Sequence, residues 1–119
     1  MKPFDITIYH NPRCSNSRGA LALIQDAGFT PVVIDYLQAP PSHERLVALL
    51  REAGLTAAEL VRSKEPVFAE LGLDSADEAR LIDAMLAHPV LINRPLVVTP
   101  LGTRLCRPPE RVKEILPAA

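Results

Sequence analysis

Cysteine is scarce in this 119-residue chain, and the only two, Cys14 and Cys106, stand too far apart in sequence to form a disulfide framework. Such usage fits a reducing compartment, with each thiol either free for chemistry or simply buried. Excess charge is lacking too: a net charge of −1 creates no overall field for nucleic acid or a membrane surface. No apolar run approaches the ~20 residues that a bilayer-spanning helix needs. Met1-Lys2-Pro3 leads straight into a strand pattern instead of a signal peptide, so the expected location is the cytoplasm. Internal repeats are absent. So is a Cys-x-x-Cys pair, because Ser17 holds the second position of Cys14-Ser15-Asn16-Ser17. Cys14 therefore has no local resolving partner, and any redox cycle must borrow a thiol from outside, such as that of glutathione. The cradle of a tyrosine phosphatase, which needs Arg six residues after Cys, is excluded by Ala20.

What is present reads as one domain over 1–119, with a hydrophobic fraction of 48% and a charged fraction of 23%, ordinary values for a globular chain. The 12 prolines fall at element boundaries and punctuate structure. The organising stretch is Tyr9-His10-Asn11-Pro12-Arg13-Cys14-Ser15-Asn16-Ser17-Arg18. Before it, 5–9 alternate as a first strand; after it, Ala20, Leu21, Leu23, Ile24 and Ala27 predict a helix over 16–27, stopped by Gly28. Residues 31–36 predict a second strand, parallel to the first.

A helical insertion follows over approximately 42–88. Ser42 caps a helix with Leu46, Leu49, Leu50 and Ala53 on one face, ended by Gly54. Thr56 with Glu59 and Ser75 with Glu78 form capping-box patterns, the first opening a helix that runs to Arg62. A short helix is predicted over 66–71. After Pro89, Leu96-Val97-Val98-Thr99 and Thr103-Arg104-Leu105-Cys106 flank Pro100-Leu101-Gly102 as a hairpin, and Pro108-Pro109 starts a last helix with Val112, Ile115 and Leu116 inward. The order β-α-β, helices, β-β-α is that of an α/β, thioredoxin-like mixed sheet with an inserted helical region.

Cys14 sits where a helix begins, so unpaired N–H groups and the positive dipole end favour thiolate over thiol, with Arg13, Arg18 and His10 adding to the effect. The same features suit an oxyanion beside the sulfur. Ser17 is either an ordinary first-turn residue or a hydroxyl bonded to the thiolate. Arg94, before Pro95, and Arg107, after the last strand, fall at the same edge of the sheet if the hairpin forms. They are either solvated strand-end residues or a guanidinium clamp for a tetrahedral oxyanion. A cis-proline at the place of Pro95 faces the reactive cysteine in thioredoxin-like proteins, which favours the clamp. Arg62 is a further candidate for closing it, and Cys106 is assigned to packing.

Three stretches carry a resemblance: Ile6-Thr7-Ile8-Tyr9-His10-Asn11-Pro12 with Cys14; Glu70-Leu71-Gly72-Leu73; and His88-Pro89-Val90-Leu91-Ile92-Asn93-Arg94-Pro95-Leu96-Val97-Val98-Thr99-Pro100-Leu101-Gly102-Thr103-Arg104-Leu105-Cys106-Arg107-Pro108. Through them the chain resembles the glutaredoxin-coupled arsenate reductases, the ArsC family, along almost its whole length. The resemblance implies that Cys14 attacks arsenic, that His10 and Ser17 lower or hold its charge, and that Arg62, Arg94 and Arg107 bind the oxyanion. It implies Pro95 as the structural cis-proline. Thiolate would displace hydroxide from arsenate; glutathione would add and reduce As(V) to As(III); glutaredoxin would resolve the mixed disulfide as arsenite leaves. Arsenate, glutathione as co-substrate and glutaredoxin are the implied partners, with no metal, bound prosthetic group, nucleic acid or membrane. Two other readings stand beside it: a glutathione-dependent thiol oxidoreductase without efficient arsenate turnover, and a regulator like the Spx proteins, which bind RNA polymerase. The regulators typically switch through Cys-x-x-Cys, which Ser17 breaks.

Overall fold

A computed structural model describes residues 6–117. The predicted strand residue Asp5 and the lead-in Met1-Lys2-Pro3 lie outside the described residues. The chain divides into two compact units, one formed by the residues up to Ala39 together with those from Arg94 onward, the other by Pro40–Asn93.

The first unit carries strands β1 (Thr7–His10), β2 (Val32–Asp35), β3 (Leu96–Thr99) and β4 (Gly102–Leu105), with helix α1 (Ser15–Asp26) and a 3-10 helix over Pro109–Glu114. The four strands lie in the order β2-β1-β3-β4. β1 runs parallel to β2 and antiparallel to β3, and β3 and β4 form the antiparallel hairpin. The sheet is therefore mixed. β1 is central and buried on both faces: Ile8 and Tyr9, which point to opposite sides, are both buried, as is Ile6 just before the strand. Ile6 and Ile8 join Ala20 and Ile24 of α1, Phe29, Val97, Cys106, Val112 and Ile115 in one core.

Gly28 ends α1 at φ 92°, with its own N–H donating to Gln25 at 2.9 Å and the Phe29 N–H reaching back to Ile24 at 3.2 Å. This pair of bonds satisfies the last carbonyls of the helix. At the other end of the unit two expectations are corrected. Cys106 lies one residue beyond β4 instead of inside it, although its N–H still donates to Pro95 at 2.9 Å. Pro108 and Pro109 have no N–H with which to continue the ladder. The final helix is a 3-10 helix in which Val112 is buried; Ile115, its C-cap three positions on, is buried too, and Leu116 is only partly buried.

The second unit is helical: α2 (His43–Ala53), α3 (Ala57–Leu60), α4 (Pro66–Glu70) and α5 (Glu78–Ala87), with 3-10 turns at Leu73–Ser75 and Pro89–Leu91. Ser42 caps α2 by accepting from the Arg45 N–H at 3.1 Å, and Leu46, Leu49 and Leu50 are buried. The Thr56–Glu59 capping box forms as read. The helix it opens does not run to Arg62, however. It stops at Leu60, because Val61 pairs as an extended bridge with Ile92, the Arg62 N–H donates to Leu91 and the Asn93 N–H donates to Leu60. The second predicted box is also corrected. Ser75 lies in a 3-10 turn and Asp77 caps α5 through the Arg80 N–H at 2.9 Å. Both oxygens of Glu78 accept from the Ala57 N–H at 3.0 Å, so this carboxylate serves the start of α3.

A Cβ at Gly28 would meet nothing within 4 Å, so its substitution has a purely conformational cost. Gly28→Ala is expected to lower the free energy of urea unfolding by about 1 kcal/mol, and Gly28→Asn by less.

Candidate active site

Cys14 is the N-cap of α1, extended at φ −91° and ψ 122°. The turn that delivers it is local. The Cys14 N–H closes on the Asn11 carbonyl at 3.0 Å, and Asn11 Oδ1 accepts from the Arg13 N–H at 3.0 Å. Arg18 then reaches back from the helix and donates Nη1 to the Pro12 carbonyl at 2.8 Å. The loop is thus tied at both ends by side chains of the motif itself.

The sulfur is half-buried. Burial alone would push its thiol up, but the Ser17 N–H, the Arg94 and Arg107 side chains and the Asn16 N–H outweigh it and hold Cys14 below the ordinary thiol value of 9.0. Arg107 donates Nη1 to the sulfur at 3.7 Å and also to the Arg94 carbonyl at 2.9 Å. Hairpin register explains that meeting. Leu96 pairs with Leu105, and Arg94 precedes one as Arg107 follows the other by the same two residues. Between them Pro95 is buried, and its bond to Arg94 is cis.

His10 and Ser17 are both buried, and His10 Nδ1 lies 2.6 Å from the Ser17 hydroxyl, which also accepts from the Asn11 N–H at 3.0 Å. The hydroxyl therefore serves the loop, and it is the backbone N–H of Ser17 that faces the thiolate. Burial lowers the His10 pKa below 6.5, with Asp35 opposing and Arg18 assisting, so the ring is neutral at pH 7. A neutral buried imidazole contributes stability above pH 6.5 that is lost as pH falls through the lower folded value.

Cys14, His10, Ser17, Arg94, Pro95 and Arg107 all belong to the sheet unit. Arg62 belongs to the helical unit, where Nε pairs with Glu65 at 3.3 Å and Nη1 donates to Asn93 at 3.1 Å. Its substrate role remains the one that the resemblance implies. Cys106 is fully buried, and burial pushes its thiol up to about 12, which leaves it inert. One residue escaped the sequence reading. With its amide oxygen turned toward the guanidinium, Asn16 accepts from Nη1 and Nη2 of Arg107, each at 3.2 Å. Its place in the first turn, two residues after the cysteine, was the available signal.

Among the described residues no cluster of His, Cys, Asp or Glu could hold a metal ion, and no helix is long and apolar enough to cross a membrane. The arrangement offers a thiol held below its ordinary pKa, two helix N–H groups and two guanidiniums. Ser17→Ala is expected to lower the stability in urea by about 1–3 kcal/mol, because the Asn11 N–H and His10 Nδ1 lose a buried partner. The pH midpoint of Cys14 alkylation should barely move; a large rise would return the hydroxyl to the thiolate.

Comparison with known proteins gives the family and the fold. The model of the ArsC family matches residues 9–115. The chain is 56% identical over 114 residues to an arsenate reductase of Rhizobium meliloti strain 1021, covering 94% of this chain and 81% of that protein. It is 53% identical over 117 residues to an arsenate reductase of Escherichia coli strain K12, covering 97% and 83%. The solved arsenate reductase from Vibrio cholerae superposes with a TM-score of 0.87 at 45% identity, covering 93% of this chain and 97% of that one. The thioredoxin-like α/β fold is thereby established, and the chain belongs to the ArsC family.

Proposed function

We propose that this protein is an arsenate reductase in which Cys14 is the nucleophile and Arg94 and Arg107 hold the oxyanion. The observation that carries the proposal is the Cys14 sulfur, acidified at a helix N-terminus with the Arg107 guanidinium 3.7 Å away and Arg94 also bearing on it. A thiolate so placed can attack an electrophilic centre whose oxygens the guanidiniums and helix N–H groups already neutralise. Arsenate is such a centre, and it is the substrate named for the relatives above.

Attack by Cys14 expels hydroxide and leaves arsenate bonded to sulfur. Two electrons must then reach arsenic to take As(V) to As(III), and a single thiolate cannot supply them catalytically. The other cysteine is buried and carries a raised pKa, so two thiols from outside must supply the electrons and leave as a disulfide. The family resemblance assigns these to glutathione and glutaredoxin. Hydrolysis of the As(III)–sulfur bond frees arsenite and restores Cys14. Glutathione acts as a co-substrate, and this dependence places the reaction in a reducing compartment such as the cytoplasm. The neutral His10 and the Ser17 hydroxyl keep the loop in shape and leave the Ser17 N–H directed at the sulfur.

With arsenate, glutathione, glutaredoxin and glutathione reductase, the protein is expected to drive arsenate-dependent NADPH oxidation that disappears in Cys14→Ser. Activity that persists in that variant, or none in the parent, refutes the assignment. Arg94→Ala should lower kcat/KM for arsenate by roughly a hundredfold or more while Cys14 still alkylates, with its midpoint moved upward.

A further inference from the structure

Arg107 donates to the Cys14 sulfur, so whatever fixes its orientation acts on the site. A guanidinium presents five N–H donors in one plane, and a rotation of that plane changes which of them face the sulfur. The Arg94 carbonyl and the sulfur engage Nη1 alone. Asn16 engages Nη1 and Nη2 together, each at 3.2 Å. Two contacts from one oxygen restrict that rotation. The reverse orientation of the Asn16 amide would set N–H donors against N–H donors.

The helix also accommodates the chain that follows Arg107. Gly19 lies three residues after Asn16 on the same face of α1. A Cβ there would stand 3.0 Å and 3.2 Å from Cγ and Cβ of Pro109, closer than carbon atoms ordinarily pack. Glycine lets the segment after Arg107 come close to the helix on the face that Asn16 shares.

We propose that Asn16 is a positioning residue that holds the Arg107 guanidinium against the Cys14 sulfur and the Arg94 carbonyl. The part of this concerning oxyanion affinity rests on the function proposed above; the part concerning the thiol does not. The Asn16 N–H also acts on the sulfur, but a side-chain substitution leaves it in place. Loss of the side chain thus reports on Arg107.

The test is a double-substitution cycle of Asn16→Ala and Arg107→Ala. It is read by the pH midpoint of Cys14 alkylation with iodoacetamide, and by the arsenate concentration that halves the alkylation rate at fixed pH. Asn16→Ala should raise the midpoint by a few tenths of a pH unit and the protecting concentration by roughly fivefold to tenfold. In the Arg107→Ala background the same change should alter protection by less than about 1.5-fold, because Asn16 then has nothing to hold. Asn16→Ser, whose hydroxyl stops short of the guanidinium, should behave as Asn16→Ala does. An unchanged midpoint in Asn16→Ala, or equal effects with and without Arg107, overturns the proposal. If arsenate does not protect the parent protein, the proposed substrate is wrong, and the alkylation midpoints alone decide the role of Asn16.

Discussion

A thiol withdrawn from water resists ionisation unless fixed dipoles and charges outweigh the lost hydration, and at Cys14 they do. The Ser17 and Asn16 N–H groups come with the N-cap position, whereas the guanidiniums of Arg94 and Arg107 come from the far end of the sequence. The fold reconciles the two sources. β1 places the cysteine loop at one strand end, and the antiparallel hairpin returns both arginines beside it. Cys106 provides the internal contrast: it is buried without those dipoles, and its thiol is driven up to about 12.

The same construction explains the division of labour in the proposed chemistry. A second thiol close by would let the site oxidise itself, but Ser17 stands where a resolving cysteine would be. Its hydroxyl is instead spent on His10 and the Asn11 N–H, which fixes the loop around the sulfur. In the proposed reaction the site holds one thiolate and one anion, and the electrons arrive on other molecules. Nothing in that design calls on a large cavity; it calls on the orientation of N–H donors.

Much of this was legible in the chain. The alternating run Ile6–Tyr9 located the first strand, and the apolar runs on either side of Pro100-Leu101-Gly102 located the hairpin. Hairpin register alone then put Arg94 near Arg107. Illegible features depended on contacts distant in sequence. α3 stops at Leu60 because Val61 pairs with Ile92, and Asp77 caps α5 while Glu78 serves Ala57, 21 residues away. The Ser17 hydroxyl could point at the sulfur or away, and only the position of His10 behind it decides between them. Asn16 was overlooked for a like reason: an asparagine in a first turn says nothing until its partner, Arg107, is in place.

The central claim is that the fold holds the Cys14 thiol below its ordinary pKa. Ultraviolet titration of thiolate absorbance in the folded protein, with Cys14→Ser as the reference, measures this directly. The account predicts a Cys14 midpoint below 9.0 and no Cys106 thiolate until the pH approaches about 12. A Cys14 midpoint at or above 9.0 in the folded protein would contradict it.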